Sequence, residues 1–169
     1  MPFVLCFIGW HNSGKTTLVS RVVGLLKARG LRVAVIKSTK ERGLVPEPAQ
    51  ADTALHRRAG ADAVALVAPD QFLLRTAPPE QDLPTLAGRY FADMDIVLAE
   101  GFKRAAGVDK IEVRRDAAAP VLRGQVAGVQ ATFTDLRGAE GLVFGPDDLA
   151  ALVDWIEARR AAAAETRHG

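Results

Sequence analysis

Cysteine is almost missing from this chain of 169 residues, which has Cys6 and no other. Cys6 cannot pair within the chain, so a disulfide framework and a cysteine-rich zinc site are both excluded. Histidine occurs three times, with no His-rich tract to store metal. Net charge is also small: 22 Lys and Arg stand against 20 Asp and Glu, giving +2. The bases are spread along the chain, so neither nucleic acid nor an anionic membrane has a strong electrostatic handle. No apolar run reaches the roughly 18 residues of a membrane span. The apolar start at Pro2 to Ile8 lacks the basic residues and cleavage site of a signal peptide. These absences predict a cytoplasmic chain with no nucleic-acid and no membrane partner. With 49% apolar and 25% charged residues, the composition is ordinary for a globular protein, and the length suits one domain.

Strands and helices alternate along the pattern. Phe3 to Ile8 is a continuous apolar run of the kind buried on both faces of a parallel sheet. Gly9 to Gly14 follows, and then Leu18, Val22, Leu25 and Leu26 mark one helical face that ends at Gly30. Arg32 to Lys37 completes a βαβ unit. Ser38 to Gln50, with two prolines and four charged residues, reads as a long loop. A short helix is expected from about Gln50 to Arg58. Ala63 to Ala68 and Gln71 to Thr76 predict a hairpin around Pro69-Asp70 that adds an antiparallel edge. The proline-rich stretch from Ala77 to Pro84 leads into a helix ending near Tyr90. Ile96 to Ala99, Lys110 to Val113 and Gln125 to Gln130 predict three further strands. Pro146 suits the first position of a last helix whose face is Leu149, Leu152, Val153 and Ile156. The expected fold is α/β, a three-layer P-loop NTPase fold, with a mostly parallel sheet and an antiparallel hairpin or edge. One nucleotide-binding domain over 1–160 and a flexible tail over 161–169 are expected.

Gly9-Trp-His-Asn-Ser-Gly14-Lys15-Thr16 matches the G-x-x-x-x-G-K-[ST] phosphate-binding loop at every fixed position. A buried strand precedes it and an amphipathic helix follows. The glycines let the backbone N–H groups curl around a polyphosphate, and the helix N-terminus adds its positive end. Lys15 is expected on the β- and γ-phosphates, Thr16 on Mg²⁺, and Gly9, Gly14 and Thr17 in the nucleotide-binding set. Asn12 and Ser13 suit either phosphate contact or stiffening of the loop. His11 reads as a loop imidazole or as a contact to phosphate or a neighbouring subunit. Trp10 occupies the place where dimeric ATPases carry a second signature lysine, which argues against that subgroup.

A P-loop also needs a carboxylate for Mg²⁺ or the attacking water, at the carboxyl end of a strand beside the loop. Glu100 has that end of its strand, whereas Asp95 reads as a strand-entry residue. Asp52 follows the long loop, and suits either a metal-facing switch segment or the first turn of a helix. Asp135 lies at a strand's carboxyl end, where it can accept from guanine N1 and N2 or cap a turn. The Asn/Thr-Lys-x-Asp signature of signalling GTPases is absent, because Thr39-Lys40-Glu41-Arg42 lacks the aspartate.

Gly9-x-x-Asn12-Ser13-Gly14-Lys15-Thr16-Thr17-Leu18, Val35-Ile36-Lys37, Ala51-Asp52-Thr53, His56-Arg57-Arg58-Ala59-Gly60-Ala61, Glu100-Gly101-Phe102-Lys103 and Lys110-Ile111-Glu112-Val113 occur in that order. Together they resemble the molybdopterin-guanine dinucleotide biosynthesis protein B (MobB) family, from residue 3 to about 157. The resemblance implies a homodimeric GTP-binding protein with weak Mg²⁺-dependent GTPase activity. Its implied partners are the molybdenum cofactor guanylyltransferase, which it would assist, and molybdopterin-bearing proteins. Lys15, Glu100 and Asp52 would then be the catalytic group, Thr16, Asp52 and Glu100 would hold the metal, and Lys103 would line the phosphate or pterin side. The family's His-rich segment after the second strand is replaced here by Ser38-Thr39-Lys40-Glu41-Arg42, so a histidine role there has no carrier. Two other classes fit the same motif: a small-molecule P-loop kinase with Arg42, Arg57 and Arg58 in a lid, and a metallochaperone GTPase.

Overall fold

The computed structural model describes residues 1–42, 50–77 and 82–166. Part of the expected loop at 38–50, part of the proline-rich stretch at 77–84 and the last three residues lie outside them. The chain forms two compact units, Met1–Thr39 with Asp82–Gly169, and Lys40–Gln81.

The first unit is built on a six-stranded sheet in the order β2-β5-β1-β6-β7-β8. Its strands are β1 (Phe3–Ile8), β2 (Val33–Lys37), β5 (Ile96–Glu100), β6 (Asp109–Arg114), β7 (Val129–Thr134) and β8 (Val143–Phe144). Every pairing between them is parallel. β1 lies inside the sheet and is buried along its whole length, which explains its unbroken apolar run. Alternation splits its side chains between two layers. Phe3, Leu5 and Phe7 pack with Leu18, Val22 and Leu26 of α1 (Lys15–Ala28) and with Leu152 and Ile156 of α4 (Leu149–Glu165). Val4, Cys6 and Ile8 pack on the other face with Leu83 and Ala87 of α3 (Leu83–Tyr90) and with Val108 and Leu122 from connecting loops. Burial of side chains the size of Leu5, Phe7 and Ile8, all 0% exposed, contributes about 2 kcal/mol each.

α1 ends where the sequence predicts. Gly30 adopts φ +82, and the N–H groups of Gly30 and Leu31 donate to the carbonyls of Lys27 and Leu26 at 3.0 and 3.2 Å, a helix stop that favours glycine. β1, α1 and β2 form the expected βαβ unit. Parallel strands on both sides of β1 place the crevice for ligands at its carboxyl end.

Three elements depart from the sequence pattern. The strand expected at Gln125 to Gln130 runs instead from Val129 to Thr134. Gly124 and Gly128 take φ near +86 and +85 and bend the backbone before it, and the buried run begins only at Ala131. The short β8 was not foreseen, since two residues are too few to show a period. α4 starts at Leu149 with Asp148 as its N-cap, so Pro146 precedes the helix instead of opening it. Asp148 Oδ2 accepts the Gly145 N–H at 2.8 Å, which closes the turn there. The helix also continues to Glu165, through alanines whose intrinsic helix propensity is the highest of any residue.

The second unit holds α2 (Asp52–Arg58) and an antiparallel pair, β3 (Ala63–Val67) and β4 (Phe72–Thr76). The hairpin is present as predicted, turning at Pro69-Asp70, with Ala63 opposite Thr76 and Val67 opposite Phe72. It does not add an edge to the large sheet. Among the described residues it is a separate two-stranded sheet. Leu66, Val67, Phe72, Leu73 and Leu74 on it are exposed.

Candidate functional site

The P-loop turns directly out of β1. A Cβ on Gly9 would stand 2.4 Å from the Val113 carbonyl oxygen and 2.6 Å from Ser13 Oγ, so only glycine lets the loop leave the strand against β6. Asn12 and Gly14 both take left-handed backbone, with φ +58 and +87. Asparagine tolerates that region better than most residues, which gives Asn12 a backbone reason for its place. Ser13 is buried and its Oγ accepts from Lys15 Nζ at 3.3 Å, while the same ammonium donates to the Trp10 carbonyl at 2.6 Å. Lys15 is therefore folded back over the loop. Burial lowers its pKa, the Glu100 carboxylate pulls it back up, and the Lys103 and Lys37 cations push it further down.

Glu100 ends β5 and shares a sheet face with Phe7, its register partner on β1. That face carries α1, so the carboxylate meets the helix's first turn. Thr16 Oγ1 donates to Glu100 Oε1 at 2.7 Å. Lys37, at the end of β2 and in register with Glu100, places its Nζ 3.2 Å from the same carboxylate oxygen. Asp95 sits at the opposite end of β5, where it accepts from the Arg32 backbone N–H at 2.7 Å and pairs with the Arg32 guanidinium. It is the strand-entry residue that its position suggests.

Two loops bracket the P-loop through Trp10. The Trp10 indole N–H donates to the Pro120 carbonyl at 2.7 Å. Lys103, in the loop after Glu100, lies with Nζ 3.9 Å from the Trp10 ring centroid, a cation–π contact. His11, Asn12 and Ser13 line a cavity of about 320 Å³ together with Arg114, Arg115 and Asp116. The Arg115 guanidinium covers Gly14, with Nε 3.0 Å from where a Cβ would be. Asp135, immediately after β7, is exposed and lines a neighbouring recess with Arg21, Arg114, Arg115, Thr134 and Pro146. Thr17 is exposed on the first turn of α1. Asp52 is exposed at the start of α2 in the second unit, where a carboxylate also favours the helix N-terminus.

The structure thus brings Lys15, Thr16 and Glu100 together, gives Trp10 contacts to two neighbouring loops, and adds Lys37, Arg114 and Arg115, which no motif marks. Lys37 was legible as the last residue of a strand predicted beside the site. The arginines follow a buried strand at its carboxyl end, the same signal that singles out Glu100.

Comparison with known proteins decides the family. The family model for molybdopterin guanine dinucleotide synthesis protein B matches residues 4–135. The chain belongs to the MobB family. It is 35% identical over 119 residues to the molybdopterin-guanine dinucleotide biosynthesis adapter protein of Escherichia coli, covering 68% of this chain and 67% of that protein. It is 33% identical over 107 residues to the probable adapter protein of Bacillus subtilis, covering 62% of this chain and 61% of that one. A crystal structure of molybdopterin-guanine biosynthesis protein B superposes with TM-score 0.73 at 28% identity, over 94% of this chain and 99% of the other. The crystal structure of Bacillus subtilis MobB gives TM-score 0.66 at 27% identity, over 94% and 97%. The expected P-loop α/β fold agrees with these MobB structures.

Proposed function

We propose that this chain acts in the cytoplasm as an adapter in molybdopterin-guanine dinucleotide biosynthesis, holding GTP with Mg²⁺ at its P-loop beside a partner guanylyltransferase. Membership of the MobB family supports the adapter role. The nucleotide reading is carried by one observation: Lys15, Lys37 and Lys103 converge on a P-loop where Glu100 is the facing carboxylate. Such an excess of positive charge suits a polyphosphate.

The residues present fit the implied ligands. Lys15 would leave the Trp10 carbonyl for the β- and γ-phosphates, and the loop N–H groups from Asn12 to Thr16 would donate to them. Thr16 and Glu100 offer two oxygens 2.7 Å apart as the protein's share of a metal site. Bound Mg²⁺ would neutralise charge on the phosphates and orient them. Asp52 is proposed as a second acid near the metal on the family resemblance. Asp135 is proposed to read guanine, because it directly follows β7, the strand next to β6, and lines the recess beside Arg115. Such a site positions a nucleotide and supports slow hydrolysis at most. A homodimer would bury the apolar hairpin of the second unit, and sedimentation equilibrium tests that pairing.

Calorimetric titration with GTP and ATP, with and without Mg²⁺, tests the reading. GTP preference in the wild type, and loss of at least about a hundredfold in affinity in Lys15→Ala, are expected. A clear ATP preference, or tight binding that persists in Lys15→Ala, would overturn it.

A further inference from the structure

Lys37 touches both protein oxygens of the proposed metal site. Its Nζ lies 3.2 Å from Thr16 Oγ1 and 3.2 Å from Glu100 Oε1. The backbone sets this up: β2 and β5 run in parallel register with Lys37 opposite Glu100, each the last residue of its strand, so the two side chains share a face. Glu100 is 7% exposed. A carboxylate so covered needs a cation or several donors close by, and Thr16 and Lys37 fill that need. The Lys37 side chain, by contrast, is 55% exposed, so it can withdraw into water at little cost in desolvation.

We propose that Lys37 is a tethered stand-in for the divalent cation, which holds the Thr16–Glu100 pair in the absence of nucleotide and must be displaced before metal can bind. This deepens the reading of the P-loop as a Mg²⁺-nucleotide site and rests on it. Charge explains what the device does. With Lys15, Lys37 and Lys103 gathered at the loop and Glu100 as the facing carboxylate, a dication arriving alone meets three ammonium groups and one carboxylate. A polyphosphate reverses that balance, and gives the displaced Lys37 an anion to follow. Lys37 therefore makes metal binding conditional on nucleotide binding, and its removal should uncouple the two.

The test is Mn²⁺ binding to the nucleotide-free protein, followed by electron paramagnetic resonance of the free ion. Lys37→Met keeps the length of the side chain and removes its charge, and should bind Mn²⁺ about tenfold more tightly than the wild type, given one unit charge removed within a few ångströms of a partly solvated site. Lys37→Arg, which keeps the charge, should stay near the wild type. The double variant Lys37→Met with Glu100→Gln should lose the gain. Equal Mn²⁺ affinity in the wild type and Lys37→Met overturns the inference, and so does an equal gain in Lys37→Met and Lys37→Arg. GDP titrations in Mg²⁺ separate this result from the parent reading. A wild type that binds Mg²⁺-GDP while Lys37→Met gains no Mn²⁺ affinity sinks the stand-in alone. A wild type that binds no nucleotide while Lys37→Met gains Mn²⁺ affinity sinks the nucleotide reading and keeps the cation competition.

Discussion

Glu100 and Glu112 are buried carboxylates on β5 and β6, the two strands that flank β1, and they point to opposite faces of the sheet. Glu100 shares the α1 face with Phe7, while Glu112 is in register with Ile8 and faces the loop-covered layer. Glu100 is held by side chains: a threonine hydroxyl and an exposed lysine, both able to move away. Glu112 is 0% exposed and is held by backbone. Its two oxygens accept the N–H groups of Leu122 and Arg123 at 2.8 and 2.9 Å, and the Arg114 Nε lies 3.7 Å away. Two positions earlier, Lys110 does the complementary work, donating to the carbonyls of Ala105 and Ala127, each at 2.7 Å. Fixed donors make a structural staple, and exchangeable ones make a site. Burial alone does not tell the two acids apart, but the partners do.

The largest predicted effect breaks the staple. Glu112→Ala leaves two backbone N–H groups and a nearly buried arginine without their carboxylate, and should destabilise the fold by about 3–5 kcal/mol. Urea denaturation measures this. A loss below about 1 kcal/mol would show that water or a rearranged loop replaces the carboxylate, and would undo the contrast with Glu100.

A smaller effect is expected on the other side of β1. Glu100→Gln can still accept from Thr16 but offers no charge to a metal. Stability should change by less than about 1 kcal/mol, whereas nucleotide affinity in Mg²⁺ should fall about tenfold and affinity in EDTA should stay the same. Calorimetry in the two buffers checks it. An equal fall in both would make Glu100 a second staple.

The same contrast shows which parts of the molecule the sequence could reveal. The P-loop, β1, α1 and Glu100 were legible because each rests on local signals: an apolar run, fixed glycines, a helical period, and an acid directly after a strand. Glu112 and Lys110 were not read in this way, since their partners lie in loops ten or more residues away in sequence for Glu112 and up to 17 for Lys110. A signal was nevertheless present. Lys110 and Glu112, two positions apart with Ile111 between them, put both charges on one face of the strand, and a buried face that carries charges needs polar partners. β7 was misplaced because Val126 and Val129 continue an apolar pattern that Gly128 interrupts. The hairpin was found from its turn and alternation, yet strand propensity cannot say which sheet a strand joins. Asp52 shows the same limit, since a first-turn acid looks alike whether it serves its helix or a metal.

The smallest effect lies at the other end of β5, where Asp95 lets the comparison be made within one strand. Arg32 holds the Asp95 carboxyl below the ordinary value near 3.8, through its guanidinium first and its backbone N–H second. Because the folded value is the lower one, the ionised pair stabilises the fold above about 3.8, and the contribution is lost as pH falls through the folded value. Arg32 is well exposed, so solvent screens the pair. Asp95→Asn should lower the melting temperature by about 2 °C at pH 7, and the gap from the wild type should close as the pH is taken below the folded value. Nucleotide affinity should not change at any Mg²⁺ concentration, because Asp95 is at the amino end of β5 and the P-loop faces the carboxyl end. Thermal melts across that pH range, run beside the Glu100→Gln titrations, would show a strand whose two acids differ in kind: one answers to pH and the other to metal. A metal-dependent change in Asp95→Asn would mean that the two ends of β5 are coupled, and that the division between site and scaffold drawn from their partners is too sharp.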